Sequence, residues 1–505
     1  MRPVFSMKKI LIILFLTLNY FSLYSQKQGN IWCFGDSAGI DFNQSPPTTF
    51  TSSVRNRGSC CSIADTSGSL LFYANAQAGR IGNTTQVWSS NHQLMQNGDS
   101  IVGQGWFYEL VIVPNPSGNN TFYLFSIGVT NSGDSGLYYS VVDMNLNGGL
   151  GAVTQKNIRL QPFKIDDGLT AIKHGNGRDW WLFFRRNIAP SDTFYSYLID
   201  PTGINNYTIQ KAGSLHPGFR KQLFFNSNGS KLVATGGAGI IELFDFDRCT
   251  GVISNPINIS QSFETPLIGG AAISPNDSLL YVTTNTSSPD TSYLFQYNLA
   301  DTNIRLTKDT IHIYTYPPSV YEAGMLKLGP DKRIYVANIY YNGVQNYFPY
   351  ADSMYNNINM NVGVIQSPDS IGSSCNFQPY SFYLGGKRCY SQFPNNPDYD
   401  LGPITSSICD TVTSIDEAIS QKTSSINIFY HHAWQTAFIN ASGLKGSQLK
   451  LIVMDISGRI VYTEKGVSAI GFFSRDLPMD DFASGLYLIS IFTEKEKLTG
   501  KMVKP

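Results

Sequence analysis

The chain has 505 residues, a length that predicts roughly two to four domains or one large repeat array with an addition. Its 36 basic residues balance its 36 acidic residues, which excludes the positive excess that a nucleic-acid surface needs to displace counterions from phosphate. Apolar residues reach 42% and include 29 Tyr and 31 Phe, a composition that suits a large core built from short strands.

The first 25 residues have the pattern of a secretory signal peptide. Lys8 and Lys9 precede an apolar run at 10–18, and a short polar stretch follows. The run is too short to cross about 30 Å of hydrocarbon as a helix, so we predict cleavage between Ser25 and Gln26 rather than a membrane anchor. No later stretch is long enough to span a membrane, so we predict no transmembrane segment after signal removal.

A turn followed by an alternating strand recurs through the body of the chain. Two clear copies lie at 274–285 and 328–339. The strands after such turns begin about 50 residues apart, near Leu70, Thr121, Asp179, Lys231, Leu279 and Arg333. This period, with several short strands per unit, is typical of a β-propeller, whose blades bury their faces by stacking around an axis.

We predict about seven blades over residues 27–390. Six units are visible, and the seventh is predicted from the two ends, with 30–42 pairing with 376–389 to hide the last sheet edge. Six or eight blades also fit the pattern. The alternatives are a series of β-sandwiches and a β-solenoid, and the solenoid is disfavoured because its repeats are shorter.

Several segments of this region also resemble a known family. The stretches at 30–43, 68–76, 86–98, 140–153 and 169–183 are similar to exported proteins of Bacteroidota with WD40-like β-propeller blades. The resemblance implies the architecture and covers most of 27–390. It implies no catalytic residues, because none are established for that family as a whole.

A polar stretch at 391–425, rich in Pro, Asn, Asp and Ser, is predicted to be a linker. The remaining residues, 426–505, have a compact β pattern. Two alternating strands flank the turn at Ser457 and Gly458, and a further strand follows at 484–491. The fold class predicted for the whole chain is therefore all-β, with a propeller followed by a small β-sandwich.

The C-terminal pattern resembles the type A sorting domain of the type IX secretion system. The matching positions are Val453, Asp455, Gly458, Arg459, Val461, Gly485, Leu486, Tyr487, Lys501 and Lys504. The resemblance implies a small Ig-like β-sandwich, the type IX secretion machinery as partner, and export through Sec and then type IX secretion, ending in a secreted or outer-membrane surface-attached protein. One departure is the stretch 427–439, which keeps Tyr430 but lacks the usual Asn-Pro turn. The alternative is an Ig-like module that stays attached and binds a ligand.

The sequence carries few signals of chemistry. It contains no G-x-S-x-G elbow, no P-loop and no H-E-x-x-H motif, so we predict no catalytic residues and no cofactor. His174 and Asp179 are candidate binding residues, although the same pair would also shape the turn before a strand. Trp106 and Tyr108 are the second candidates, since exposed rings stack on sugars, although packing between blades would use them equally well.

The seven cysteines fit an oxidising compartment, and their odd number means that at least one is free or pairs with another molecule. No C-x-x-C motif occurs, so we predict no metal site. We interpret the protein as a secreted or surface propeller that binds a glycan or a protein without catalysis. The alternative is an extracellular polysaccharide hydrolase or lyase with its site at the mouth of the propeller channel.

Overall fold

The computed structural model describes residues 27–505 with short internal gaps. The residues left out are 1–26, 57, 78–83, 104–106, 129–132, 217–219, 237, 262–267, 285–290, 316–319, 342–354, 411–423, 433, 447 and 469–470. The predicted signal peptide therefore lies outside the described residues, and its cleavage stays a prediction. Within the described ranges, no helix is long and apolar enough to cross a membrane.

Seven antiparallel sheets follow one another along residues 31–383, and in each of them consecutive strands pair. The first sheet has three strands, which are β1 (Ile31–Phe34), β2 (Asp36–Asp41) and β3 (Thr48–Arg55). Each of the other six has four strands, which are β4 (Cys60–Ala64), β5 (Leu70–Gln77), β6 (Thr84–Ser89), β7 (Ile101–Val102); β8 (Leu110–Pro114), β9 (Thr121–Gly128), β10 (Gly136–Asp143), β11 (Ala152–Gln161); β12 (Thr170–Lys173), β13 (Trp180–Phe184), β14 (Ser191–Asp200), β15 (Gly203–His216); β16 (Arg220–Phe225), β17 (Lys231–Gly236), β18 (Ile241–Asp247), β19 (Val252–Ser260); β20 (Ile268–Ile273), β21 (Leu279–Thr284), β22 (Thr291–Asn298), β23 (Asp309–Thr315); β24 (Val320–Leu328), β25 (Ile334–Tyr341), β26 (Asn361–Ile365) and β27 (Phe377–Tyr383).

The hairpin turns between the first two strands of several sheets follow from local polar chemistry. At the turn between β4 and β5, Asp65 Oδ1 accepts hydrogen bonds from the backbone N–H groups of Ser67 at 2.8 Å and Ser69 at 2.9 Å. Gly68 has a φ of 94°, a conformation that costs glycine little because it has no Cβ. The same asparagine- or aspartate-based turn at Asn226 and at Asn276 explains the repeat seen in the sequence.

The seven sheets are the blades of a β-propeller. The first strand of each sheet lies beside the first strand of the next, from β1 through β24. Apolar clusters fill the spaces between neighbouring blades, and the ring closes where Trp32 of β1 packs on Tyr335 of β25 with ring centroids 5.6 Å apart. The prediction of an all-β propeller with about seven blades is confirmed.

The predicted pairing of 30–42 with 376–389 is wrong. The strand β1 pairs with β2, and β27 pairs with β26 of its own blade. The two ends share one isolated antiparallel bridge, in which the backbone N–H of Asp36 donates to Arg388 O at 2.8 Å and that of Arg388 donates to Asp36 O at 3.3 Å. The Asp36 carboxylate also forms an ion pair with the Arg388 guanidinium. Pairing within a hairpin closes a much shorter loop than pairing between the ends of the chain, so the local partner is favoured.

The C-terminal region is a sandwich of two antiparallel sheets, with the orders β28-β29-β32 and β31-β30-β33-β34. Its strands are β28 (Ser425–His431), β29 (Thr436–Leu444), β30 (Gln448–Asp455), β31 (Ile460–Ser468), β32 (Gly471–Pro478), β33 (Gly485–Thr493) and β34 (Lys497–Lys504). Both sheets contribute to one core, which includes Ile439, Val453 and Ile489. The stretch 427–439 forms the β28–β29 hairpin, and the Tyr430 hydroxyl donates to Gln435 Oε1 at 2.8 Å.

The sandwich lies against β11, the outermost strand of the third blade. Lys156 of β11 is fully buried, and its ammonium contacts the Asp476 carboxylate of β32 at 2.5 Å. His431 Nδ1 of β28 lies 3.4 Å from Asp134 Oδ2, and the rings of Phe429 and Tyr138 pack at 5.4 Å. The sandwich and the propeller therefore share a polar and aromatic interface.

Candidate binding cavity in the propeller channel

The segment that follows the last blade lies across the central channel. We define this channel segment as residues 391–410. Ser391 O accepts a hydrogen bond from the Met325 N–H at 2.9 Å. Asn395 donates through its side-chain amide to Leu110 O at 2.9 Å and Leu169 O at 2.8 Å. These residues fall in the stretch predicted to be a linker, but they are packed against the inner strands of the propeller.

Tyr399 fixes the middle of the channel segment. Its hydroxyl donates to Ile112 O at 3.0 Å, and its ring meets the ring of Trp180 at 5.9 Å. The Lys173 ammonium donates to Tyr399 O at 2.6 Å. A hydrogen bond from a buried ammonium to a backbone carbonyl is strong, because little water is present to compete for either group. This bond therefore fixes the backbone at Tyr399.

Two more cations hold the segment on either side of Tyr399. Lys327 Nζ donates to Asn396 O at 3.1 Å, and an Arg248 guanidinium nitrogen donates to Gly402 O at 2.7 Å. Past Gly402, a disulfide joins Cys409 to Cys249 in the loop between β18 and β19. The other five cysteines are buried thiols.

A cavity of about 280 Å³ lies between the channel segment and the inner strands. Its wall combines aromatic rings with polar and charged side chains. Among the lining residues are Trp32, Tyr108, Gln222, Lys327, Asp398 and Asp400. The Tyr108 hydroxyl is buried and has no hydrogen-bond partner among the described residues.

The two carboxylates of the cavity have perturbed acidities. Burial raises the pKa of Asp398, while the cations Lys173, Lys327 and Arg248 oppose the rise. Asp400 is exposed at the cavity surface, and partial desolvation by the surrounding chain together with the neighbouring Asp398 carboxylate raises its pKa to about 6. Asp398 Oδ1 accepts the backbone N–H of Asp400 at 2.9 Å, whereas no described residue donates a hydrogen bond to the Asp400 carboxylate.

Lys327 is the one ammonium among the lining residues described. Burial lowers the pKa of Lys327 to about 8, and the Asp398 carboxylate limits the fall. Its Nζ lies 5.7 Å from the centroid of the Trp32 ring. The cavity thus holds two acceptor carboxylates and one donor ammonium beside an aromatic ring.

The four predicted binding residues do not form one site in the described part of the chain. Trp106 lies outside the described residues. Tyr108 lines the cavity, and its backbone N–H donates to Gln392 Oε1 at 3.2 Å. His174 and Asp179 lie in the turn between β12 and β13, where their side chains are buried.

The polar side-chain atoms of His174 and Asp179 form hydrogen bonds with nearby residues. His174 Nδ1 accepts the Asn176 N–H at 3.1 Å, so its Nε2 carries the proton and donates to Cys249 O at 2.8 Å. The Asp179 carboxylate accepts from Arg178 Nε and from the Asn176 amide, both at 2.7 Å. Both residues shape the turn, and neither is a lining residue of the cavity.

The cavity residues Lys327, Asp398 and Asp400 were not predicted from the sequence. One signal was available, because Lys327 interrupts an apolar strand between Leu326 and Leu328. Among the described residues, no group of three or more His, Cys, Asp or Glu side chains could hold a metal ion.

The first predicted sorting motif forms the turn between β30 and β31. Asp455 Oδ1 accepts the backbone N–H groups of Ser457 and Arg459, both at 3.0 Å, and Oδ2 pairs with Arg459 Nε at 2.9 Å. Gly458 has a φ of 82°, which favours glycine. Val453 is buried in the sandwich core, whereas the Arg459 side chain is 77% exposed.

The second predicted motif joins β33 to β34. Gly485 pairs with Lys504, and the Tyr487 hydroxyl donates to Ala483 O at 2.5 Å. The buried Lys504 ammonium donates to Met479 O at 2.7 Å and to Phe482 O at 2.6 Å. Lys501, three residues earlier, is exposed.

Comparisons with solved structures find matches at low similarity. The periplasmic gluconolactonase of Pseudomonas aeruginosa is 11% identical with a TM-score of 0.36, covering 80% of this chain and 99% of that one. The β-propeller domain of Myceliophteria thermophila Cps50 (Swd1) is 14% identical with a TM-score of 0.33, covering 66% and 85%. A functionally unknown protein from Desulfotomaculum acetoxidans DSM 771 is 12% identical with a TM-score of 0.36, covering 73% and 100%.

No curated protein matches this chain. The C-terminal region does match a family model, described as a secretion system C-terminal sorting domain, over residues 434–505. This match covers the two motifs around Asp455 and Tyr487. The predicted type IX sorting domain is confirmed, and with it the type IX secretion machinery as a partner. Residues 434–505 are a secretion system C-terminal sorting domain, which directs this β-propeller through type IX secretion to the cell surface or the medium.

Proposed function

We propose that the exported propeller binds a small hydroxyl-rich ligand, such as the terminal sugar of a glycan, in the channel cavity without chemical change. The observation that carries this proposal is the polar set at the cavity wall, in which the Asp400 carboxylate accepts no hydrogen bond from a described residue and the Lys327 ammonium lies beside the Trp32 ring. Carboxylates accept hydrogen bonds from ligand hydroxyls, and an ammonium donates them.

The size and aromatic content of the cavity fit the same class of ligand. A volume of about 280 Å³ is at the small end for ligand sites and has room for roughly one sugar ring. Trp32 and Phe393 line the cavity, and aromatic rings pack well on the apolar face of a sugar. Larger glycans would enter by one terminal residue.

The arrangement of the carboxylates favours binding over hydrolysis. Asp398 and Asp400 are two residues apart on the same segment, whereas glycosidases place their two carboxylates on opposite sides of the scissile bond. Lys173 and Arg248 donate to carbonyls of the channel segment, so their charges already have partners in the fold.

A second candidate function is hydrolysis of a glycan at the same cavity. It is favoured by Asp400, because a carboxyl group with a pKa of about 6 is suited to general acid catalysis near neutral pH. In this function Asp400 would protonate the leaving-group oxygen, and a water molecule would add to the sugar carbon as the glycosidic bond breaks.

Calorimetric titration of the full chain with monosaccharides selected on a glycan array tests the proposal. The double variant Asp398→Asn and Asp400→Asn should bind the selected sugar at least about tenfold more weakly. Asp481→Asn, an exposed carboxylate of the sorting domain, is the matched control and should bind like the parent.

Three other outcomes are informative. Equal affinity in the parent and the double variant would exclude the cavity as the sugar site. New reducing ends from an oligosaccharide, lost in Asp400→Asn, would establish the hydrolase instead. Binding only to a surface protein, unaffected by both substitutions, would move the function to a rim of the propeller.

A further inference from the structure

The channel segment has two halves that are held differently. The first half is anchored by backbone and amide hydrogen bonds to inner strands, including Asn395 N to Cys60 O at 2.7 Å. The second half, residues 399–410, has exposed stretches at 402–406 and is held at a few points. Those points include the cations at Tyr399 and Gly402, the bond from Ile404 N to Gly175 O at 2.7 Å, and the disulfide.

The disulfide lies at the point where the chain leaves the propeller. Cys409 is followed, after residues outside the description, by the sorting domain that begins with β28. Cys249 is positioned by its neighbours, because His174 Nε2 donates to its carbonyl and Arg248 donates to His174 O at 3.2 Å. A Cβ on Gly175 would meet both sulfur atoms within 2.7 Å, so the bond is packed on bare backbone.

We propose that the disulfide Cys249–Cys409 is a redox-sensitive clasp that keeps the second half of the channel segment in place and so maintains the wall of the cavity. Asp400 and Leu401 line the cavity within this half, and Asp398 lies just before it. While the bond is closed, movements of the sorting domain cannot pull these residues out of the channel. This inference goes beyond the proposed ligand and does not depend on it.

Opening of the clasp needs a two-electron reductant, which we identify by class as a dithiol. One thiolate of the dithiol attacks a sulfur of the bond and forms a mixed disulfide, and its second thiol then displaces the protein sulfur. The dithiol becomes a disulfide, while Cys249 and Cys409 gain two electrons and two protons. Both cysteines are half-buried, so a small dithiol can reach them.

The other thiols cannot easily exchange with the clasp. All five are buried, and burial raises the pKa of Cys60 and of Cys389 to about 12. Only the thiolate attacks a disulfide, so these groups react slowly at neutral pH. An effect of mild reduction can therefore be assigned to this single bond.

Hydrogen exchange of the full chain, followed by mass spectrometry, tests the clasp. Reduction with dithiothreitol should raise exchange in 399–409 at least about tenfold, leave 391–396 unchanged, and reverse on reoxidation. The double variant Cys249→Ser and Cys409→Ser should exchange fast with or without dithiothreitol. Equal exchange in oxidised and reduced parent protein would overturn the proposal, and so would an equal response of the double variant to dithiothreitol.

The two proposals fail independently. Hydrogen exchange is measured without any ligand, so the absence of sugar binding would not contradict the proposed role of the disulfide. Conversely, if exchange in 399–409 does not respond to reduction, the cavity is rigid in both states and can still bind sugar. If the serine variant does not fold, the reduction and reoxidation cycle of the parent alone decides the outcome.

Discussion

The side chain of Asn440 satisfies both backbone polar groups of Lys156. Its Oδ1 accepts the Lys156 N–H at 3.0 Å, and its Nδ2 donates to Lys156 O at 2.6 Å. Asn440 belongs to the sorting domain and Lys156 to the outer edge of the third blade. One amide thus covers the open edge of a sheet in the way that a neighbouring strand would, which protects the edge from pairing with other chains.

Substitution of Asn440 by alanine should loosen this contact. The change leaves a buried N–H and a buried C=O without partners, at a cost of about 1–3 kcal/mol. Hydrogen exchange at the Lys156 amide should accelerate by about tenfold or more. Asn427→Ala, at an exposed position on β28, is the control and should leave that amide protected. Unchanged protection in Asn440→Ala would show that the sorting domain does not dock on β11 in solution.

The raised pKa of Asp400 predicts a pH-dependent stability. The folded protein holds this proton up to about pH 6, whereas an unfolded aspartate releases it near pH 3.8. The contribution of Asp400 to folding is therefore most favourable at low pH and is lost as the pH rises from about 4 to 6. Asp400→Asn should be more stable than the parent at pH 7 and equal to it at pH 4.

Denaturant unfolding of the parent and the variant at both pH values checks this expectation. Asp481→Asn serves as the control, because Asp481 belongs to the sorting domain and does not line the cavity. A stabilisation that is the same at pH 4 and pH 7 would mean that the Asp400 carboxylate is not responsible.

The amide of Asn395 is expected to anchor the channel segment. Asn395→Ala removes two hydrogen bonds to inner-strand carbonyls, those of Leu110 and Leu169, and should cost about 1–3 kcal/mol of unfolding free energy. Thermal unfolding measures the loss as a lower midpoint. Asn119→Ala, at an exposed turn, should leave the midpoint unchanged. A midpoint equal to that of the parent would contradict the anchoring role of Asn395.

Two lysines near the C-terminus should behave differently. Lys504 donates to two carbonyls in a buried setting, so Lys504→Met should destabilise the sandwich by about 2 kcal/mol. Lys501→Met removes the same charge from an exposed position and should change stability by less than about 0.5 kcal/mol. Hydrogen exchange in β33 and β34 distinguishes the two variants. Equal protection in both would refute the structural role of Lys504.

The propeller could be predicted because its signal is local. The Asp65 and Gly68 turn, like those at Asn226 and Asn276, uses short-range hydrogen bonds that leave a fixed residue pattern. The sorting motif was recognisable for the same reason, since Asp455 and Gly458 act within one hairpin.

Long-range features were missed because side-chain patterns do not encode them. The strand that begins at Phe377 pairs with β26, its neighbour in the chain, and not with the N-terminal strand. Pairing with a neighbour closes a shorter loop and therefore costs less chain entropy. The channel segment has the composition of a linker, and its contacts are largely to backbone carbonyls such as those of Leu110 and Leu169. The cavity carboxylates at Asp398 and Asp400 acquire their surroundings only when that segment enters the channel.

The most direct test of the account is the location and mass of the protein in its native host, with and without the sorting domain. The comparison is between the full chain and a chain that ends at Asp410, which keeps the disulfide and the whole channel segment. The full chain should reach the cell surface or the medium, whereas the shorter chain should fold and stay in the periplasm. Equal export of the shorter chain and the full chain would contradict this expectation, because the sorting domain would then not be required for export.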